Sequence, residues 1–235
     1  MTDTTRAGGG FDEEMELLAH LLGDDASHDA AIPAVPRGGA LATSFAQELL
    51  WLLDRATPGL TAYNMTIARR LGGPLDQAAL RRAFDALVAR HEALRTRFAA
   101  AEAHGAPVQI VDPPSAASMN VVDISRLPAE EREREAERIV AARARTPFDM
   151  AREPLFRVTL VRLSDREHVL VLETHHIVMD GWSLGVLVEE LTALYDAFSA
   201  GQQTPLAPLP IQYTDFARWQ RQWRSYPEIG AQLAY

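Results

Sequence analysis

The chain has 235 residues, 47% of them apolar, a formal net charge of −9 and no cysteine. This is enough apolar material for one large domain or two small ones. It excludes disulfides and cysteine catalysis, and the acidic balance argues against a nucleic-acid partner, which needs clustered Lys and Arg. No stretch approaches the roughly 18–20 apolar residues of a membrane span, and residues 1–10 lack a secretory hydrophobic region, so a soluble, cytoplasmic protein with no membrane partner is expected.

Residues 1–10, rich in Thr and Gly, read as a disordered leader. Met15, Leu18, Ala19 and Leu22 recur at helical spacing and predict a short amphipathic helix over 12–22. Gly23 ends it, and an extended linker with Pro33 and Pro36 reaches Gly39. Thr43 or Ser44 caps the next helix, which runs to about Arg55. Residues 63–71 alternate as a strand stopped by Gly72-Gly73-Pro74. Asp76 then caps a helix with Leu80, Phe84, Leu87, Val88 and His91 on one face. Short strands are predicted at 96–99, 108–111 and 120–122. Residues 130–145 carry charges of both signs, with Ile139 and Val140 the only large apolar residues, and read as a solvent-facing helix. Strands at 155–163 and 168–176, joined by a turn around Ser164-Asp165-Arg166, form an antiparallel hairpin. A long helix over 183–199, a proline-rich connector at 205–210 and a helix from about Tyr213 to near Arg224 follow. Strands and helices mix without strict alternation, which predicts an α/β sandwich with a mixed sheet.

The chemistry concentrates in Glu173-Thr174-His175-His176-Ile177-Val178-Met179-Asp180-Gly181-Trp182-Ser183. An apolar strand ends in two imidazoles and turns into a helix, a setting suited to moving a proton or stabilising developing negative charge. Adjacent strand residues point to opposite faces, so His175 and His176 face one cleft together only if the strand breaks between them. That divergence, with no cysteine, makes zinc a poor fit, since a site takes three or four convergent ligands. Asp180 reads as a helix cap. Gly181 permits close backbone approach, with its N–H available to a tetrahedral oxyanion, or simply forms the turn.

The pattern HHxxxDG resembles the active-site motif of the condensation domains of non-ribosomal peptide synthetases and their chloramphenicol-acetyltransferase-like relatives. Three further stretches, in the family's order, strengthen the likeness. Ser44-Phe45-Ala46-Gln47-Glu48-Leu49-Leu50-Trp51-Leu52-Leu53 resembles SxAQxRLWFL, with Leu49 and Leu52 in place of the usual Arg and Phe. Arg90-His91-Glu92-Ala93-Leu94-Arg95-Thr96-Arg97-Phe98 matches RHExLRTxF, and Tyr213-Thr214-Asp215-Phe216-Ala217-Arg218-Trp219 resembles YxDFAVW, with Arg218 replacing Val.

The resemblance implies the first lobe of a V-shaped, two-lobed domain about twice as long. Residues 1–40 are then a leader and linker, 41–205 the N-terminal lobe, and 206–235 the connector and start of a truncated second lobe. It further implies peptide-bond formation between a donor thioester and an acceptor amine, both on peptidyl carrier proteins. Phosphopantetheine would come from those carriers, no cofactor would be bound directly, and an adenylation domain would lie downstream. An initiator Met close to the domain start leads us to expect a module that opens its polypeptide. His176 is expected to face the reaction tunnel and His175 to be buried. Asp180 is expected to form a salt bridge with Arg90 or Arg95 that fixes the loop. Trp182 and Ser183 complete a DGWS sequence, similar to the peptide-condensing branch and unlike epimerising relatives, while His175 and His176 stand where heterocyclising relatives carry aspartates. An imidazole of ordinary pKa near ~6.5 accepts a proton at neutral pH, while an α-amine near ~7.7–8.0 is already partly neutral. His176 as base and His176 as positioning and electrostatic group both remain open, with the weight on positioning. Two readings compete with amide formation: a non-catalytic carrier-docking module, and an ester-forming acyltransferase with an alcohol acceptor. Alone, the fragment is expected to lack useful turnover.

Overall fold

The computed structural model describes residues 32–38, 41–101 and 105–223. The helix expected at 12–22 lies outside them. Ser44 opens α1 (Phe45–Ala56): its hydroxyl accepts the Gln47 N–H while the Gln47 side chain accepts the Ser44 N–H. An S-x-x-Q sequence builds this reciprocal cap and satisfies two otherwise orphaned donors. Asp76 likewise caps α2 (Gln77–Arg90) by accepting from the N–H groups of Ala78 and Ala79.

The strands form two sheets. β1 (Leu41–Ala42), β4 (Pro107–Val111) and β3 (Thr96–Ala100) make a small antiparallel sheet in the order β1-β4-β3. The larger sheet runs β2-β7-β6-β5, built from β2 (Asn64–Gly72), β7 (Glu167–His175), β6 (Phe156–Ser164) and β5 (Met119–Asp123). β6 and β7 form the expected antiparallel hairpin, and β2 pairs with the other edge of β7 from Asn64↔His175 to Gly72↔Glu167. β5 lies parallel to β6. Parallel neighbours need a crossover, which α3 (Ala129–Ala144) supplies. The mixed sheet with flanking helices is the predicted α/β class.

Alternation along β6 and β7 divides the core into two layers. Phe156, Val158, Leu160, Leu170 and Leu172 face α2 and α4 (Gly181–Ser199), meeting Leu80, Phe84 and Leu87 from one helix and Leu187, Leu191 and Leu194 from the other. Val161, Leu163, Val169 and Val171 face α3, which buries Ala136 and Ile139 against them. The charged helix is therefore amphipathic with a narrow stripe rather than wholly solvent-facing. A third cluster gathers Trp51, Phe98, Phe148, Met150, Leu155 and Ile177, joining α1 and the small sheet to the segment after β7. α5 (Tyr213–Trp223) packs back onto β1 and the 3-10 turn Glu92–Arg95.

Candidate active site

β7 ends at His175, and the chain turns through 176–178 before Asp180 starts α4. The Val178 N–H donates to the His175 carbonyl at 3.0 Å, and the His176 N–H donates to the Tyr63 carbonyl at 2.9 Å. These bonds separate the two imidazoles. His175 is only 3% exposed, and its Nδ1 accepts the Ile177 N–H at 3.1 Å. Burial, and secondarily the neighbouring His176, push His175 down to about 4, so it is neutral near pH 7. His176 is exposed. The buried ring shapes the turn, and the exposed ring is available to a reactant.

Asp180 caps α4 through one carboxylate oxygen, which accepts the Ser183 N–H at 2.8 Å and the Ser183 hydroxyl at 2.7 Å. Those two bonds hold its carboxyl below the usual carboxylate range. The expected salt bridge is not formed: among the described residues neither Arg90 nor Arg95 pairs with Asp180. Arg90 is taken by Glu190, with Nε 3.0 and 3.1 Å from its two oxygens, and also donates to the Ala207 carbonyl. Glu190 lies ten residues further along α4 than Asp180, about 15 Å at the helical rise. Arg95 turns instead to the Asp112 carbonyl and, more distantly, to Glu92. Sequence proximity to a motif did not reveal this competition. Glu190 also receives His91 Nε2 at 2.6 Å, so one carboxylate on α4 fastens the end of α2.

Gly181 is the first residue of α4. Its φ is not positive, and an added Cβ would meet nothing within 4 Å. The turn therefore does not require glycine, and the alternative reading, open space for a close approach, remains. Among the described residues no hydrogen bond engages the N–H of Gly181 or of Trp182, the two donors at the start of the helix dipole. Trp182 is 85% exposed. A cleft of about 260 Å³ lies beside it, with Leu94, Met179, Leu187, Ile211 and Tyr213 among its walls, while Ser183 lines its polar side.

Gln47, which the sequence analysis gave no role of its own, joins α1 to the site. Its amide donates to the Ile177 carbonyl at 3.3 Å and to Gln109 at 3.2 Å, tying α1 to the segment after His176. The signal was present in the S-x-x-Q spacing, which fixes the rotamer that reaches Ile177.

A family model for the condensation domain matches residues 38–235. The chain belongs to the condensation-domain family. It is 43% identical over 222 residues to a linear gramicidin synthase of Brevibacillus parabrevis, covering 94% of this chain but 3% of that protein. Among solved structures, the first condensation domain of the calcium-dependent antibiotic synthetase, in complex with a substrate analogue, matches with a TM-score of 0.70 and 28% identity, covering 81% of this chain and 45% of that one. The X-domain from teicoplanin biosynthesis, solved in complex with OxyB, matches with a TM-score of 0.69 and 33% identity, covering 82% and 40% respectively. This condensation-family chain thus spans under half the length of those solved chains. Among its described residues, no helix is long and apolar enough to cross a membrane.

Proposed function

We propose that this lobe supplies the histidine wall of a site that joins a carrier-bound thioester to a carrier-bound amine. The observation that carries the reading is the exposed His176, fixed at the end of β7 one turn from the α4 N-terminus. The amine nitrogen attacks the thioester carbonyl carbon, the C–S bond breaks, and the donor's pantetheine leaves as a thiolate. The proton lost by nitrogen passes to His176 or, through its positioning of the amine, onward to the departing sulfur. Unengaged N–H groups at Gly181 and Trp182 face negative charge with the favourable end of a helix dipole, which supports a part in holding the oxyanion. Phosphopantetheine belongs, in this reading, to the partner carriers rather than to this chain.

A carrier-docking or recruitment role is the second reading, favoured by the likeness to an X-domain solved with OxyB. The test is product formation by the complete domain with loaded donor and acceptor carriers, beside His176→Ala. Collapse of product in a folded His176→Ala supports catalysis at this imidazole. Equal product from both proteins removes His176 from the chemistry, and carrier binding without product from either establishes docking instead. Replacing the acceptor amine by an alcohol distinguishes amide from ester formation.

A further inference from the structure

Outside the catalytic segment, the densest polar cluster joins residues far apart in the chain. Asp215, in α5, is 1% exposed, and Glu92, in the 3-10 turn, is also buried. The Arg37 guanidinium lies between them. Its two terminal nitrogens donate to the Asp215 oxygens at 2.7 and 2.9 Å, and its Nε donates to those of Glu92 at 2.9 and 2.7 Å. Asp215 also accepts the N–H groups of Val35 at 2.8 Å and Gln212 at 2.7 Å. The Gln212 side chain closes the circuit by accepting the Glu92 N–H at 3.0 Å and donating to the Arg90 carbonyl at 2.9 Å. Burial alone would raise the Asp215 carboxyl, but bonds from Arg37, Gln212 and Val35 outweigh it and leave the group below its ordinary value.

Arg37 stands one residue ahead of the family match at 38–235, yet the unit to which it belongs runs from Pro33. Two segments it joins carry walls of the cleft beside Trp182: His91, Ala93 and Leu94 on one side, Leu209, Ile211 and Tyr213 on the other. We propose that Arg37 is a positioning residue that locks these walls together by bridging two buried carboxylates and offsetting part of their charge, so that the working lobe begins at Pro33. Without this fork-shaped cation Glu92 keeps only the Thr214 hydroxyl at 3.1 Å and Arg95 at 3.9 Å, and Asp215 only the two backbone N–H groups, so two buried acids are left under-compensated, a costly arrangement that the surroundings relieve by moving apart. This inference stands independently of the acyl-transfer reading.

Amide hydrogen exchange on the full 235-residue chain tests it. Arg37→Gln is expected to lower protection at Val35, Glu92 and Gln212 by about tenfold or more while β6 and β7 keep wild-type protection. Arg37→Lys, which retains charge without the fork, should fall between. Because the mechanism is charge compensation, Arg37→Gln/Asp215→Asn should recover protection at Glu92, and the defect of Arg37→Gln should shrink as pH falls and the acids protonate. Unchanged protection at Glu92 and Gln212, a loss that pH and Asp215→Asn leave untouched, or equal loss throughout β6 and β7 would each overturn the proposal.

Discussion

Replacing Asp180 separates two physical accounts of the loop after the histidines. A buried ion pair broken on one side costs about 3–5 kcal/mol, because the surviving charge is left desolvated. Asp180 is exposed and its carboxylate is bonded only to Ser183 among the described residues, so the side chain's contribution is that of a helix N-cap. Asp180→Ala should therefore cost about 1 kcal/mol, within the ~0.5–2 kcal/mol range of lost caps. α4 itself persists, since Leu187, Leu191 and Leu194 remain buried against the sheet. Asp180→Asn keeps an oxygen to accept the Ser183 N–H and loses only the charge at the helix dipole, worth about 0.3–1 kcal/mol. Urea unfolding of the 235-residue chain measures both, with an unchanged denaturant slope confirming that the same folded state is compared. A loss above about 3 kcal/mol for Asp180→Ala would refute the cap account in favour of a buried pair. Equal damage from Asn and Ala would refute it too.

Acid sensitivity follows from His175. Its pKa is about 4 when folded against 6.5 unperturbed, so the unfolded chain binds more protons between those values. Stability is then full above about pH 6.5 and falls toward pH 4, by up to ~3 kcal/mol at the outside. His175→Gln should flatten that slope but not abolish it, because burial also lowers His168; an unchanged slope in urea unfolding at several pH values contradicts the assignment. Gly181→Ala should leave stability unchanged or raise it by up to about 1 kcal/mol, since helical Gly is unfavourable and the site is open. If that variant melts like wild type but the complete domain loses turnover, backbone approach by substrate is the cause; undiminished turnover removes the approach argument. The 235-residue chain alone should show no useful turnover with loaded carriers, because exposed Trp182, Leu49 and Leu52 have no opposing surface among its described residues. Turnover at the rate of a complete domain would refute that.

Much of the fold was legible because single-residue signals coincided with periodicity. Asp76 before a 3.6-residue stripe placed α2, and turn residues at 164–166 between two apolar runs placed the β6–β7 hairpin. Register with distant strands was not legible. Nothing in 120–122 distinguishes a parallel partner from an antiparallel one, and the division into two sheets depends on pairings far apart in the chain. At the candidate site His175 is buried and His176 exposed as expected, but the strand ends between them, so the turn rather than strand alternation sets them apart, and the partner of Asp180 was misjudged. Ionic partners are chosen by three-dimensional competition: Glu190 takes Arg90 before Asp180 can. Arg37 was missed for a related reason. A lone cation in a proline-containing linker gives no sign of the two acids, 55 and 178 residues away, that it meets.

β7 is paired with β2 along its whole length and with β6 as far as Thr174, and the His175 and His176 N–H groups extend the bonding to Leu155 and Tyr63. Mechanically, the exposed imidazole sits in the turn that directly follows a strand paired on both sides. Its backbone cannot shift far without disturbing the end of the β2–β7 ladder, although the exposed ring itself is free to turn. If His176 meets reactants as proposed, tolerance for their size rests on the surface that faces it and on side chains such as Trp182, which is 85% exposed. Substitutions within β7, buried at eight of its nine positions, are expected to cost stability, whereas the exposed positions at the start of α4 are open to exchange.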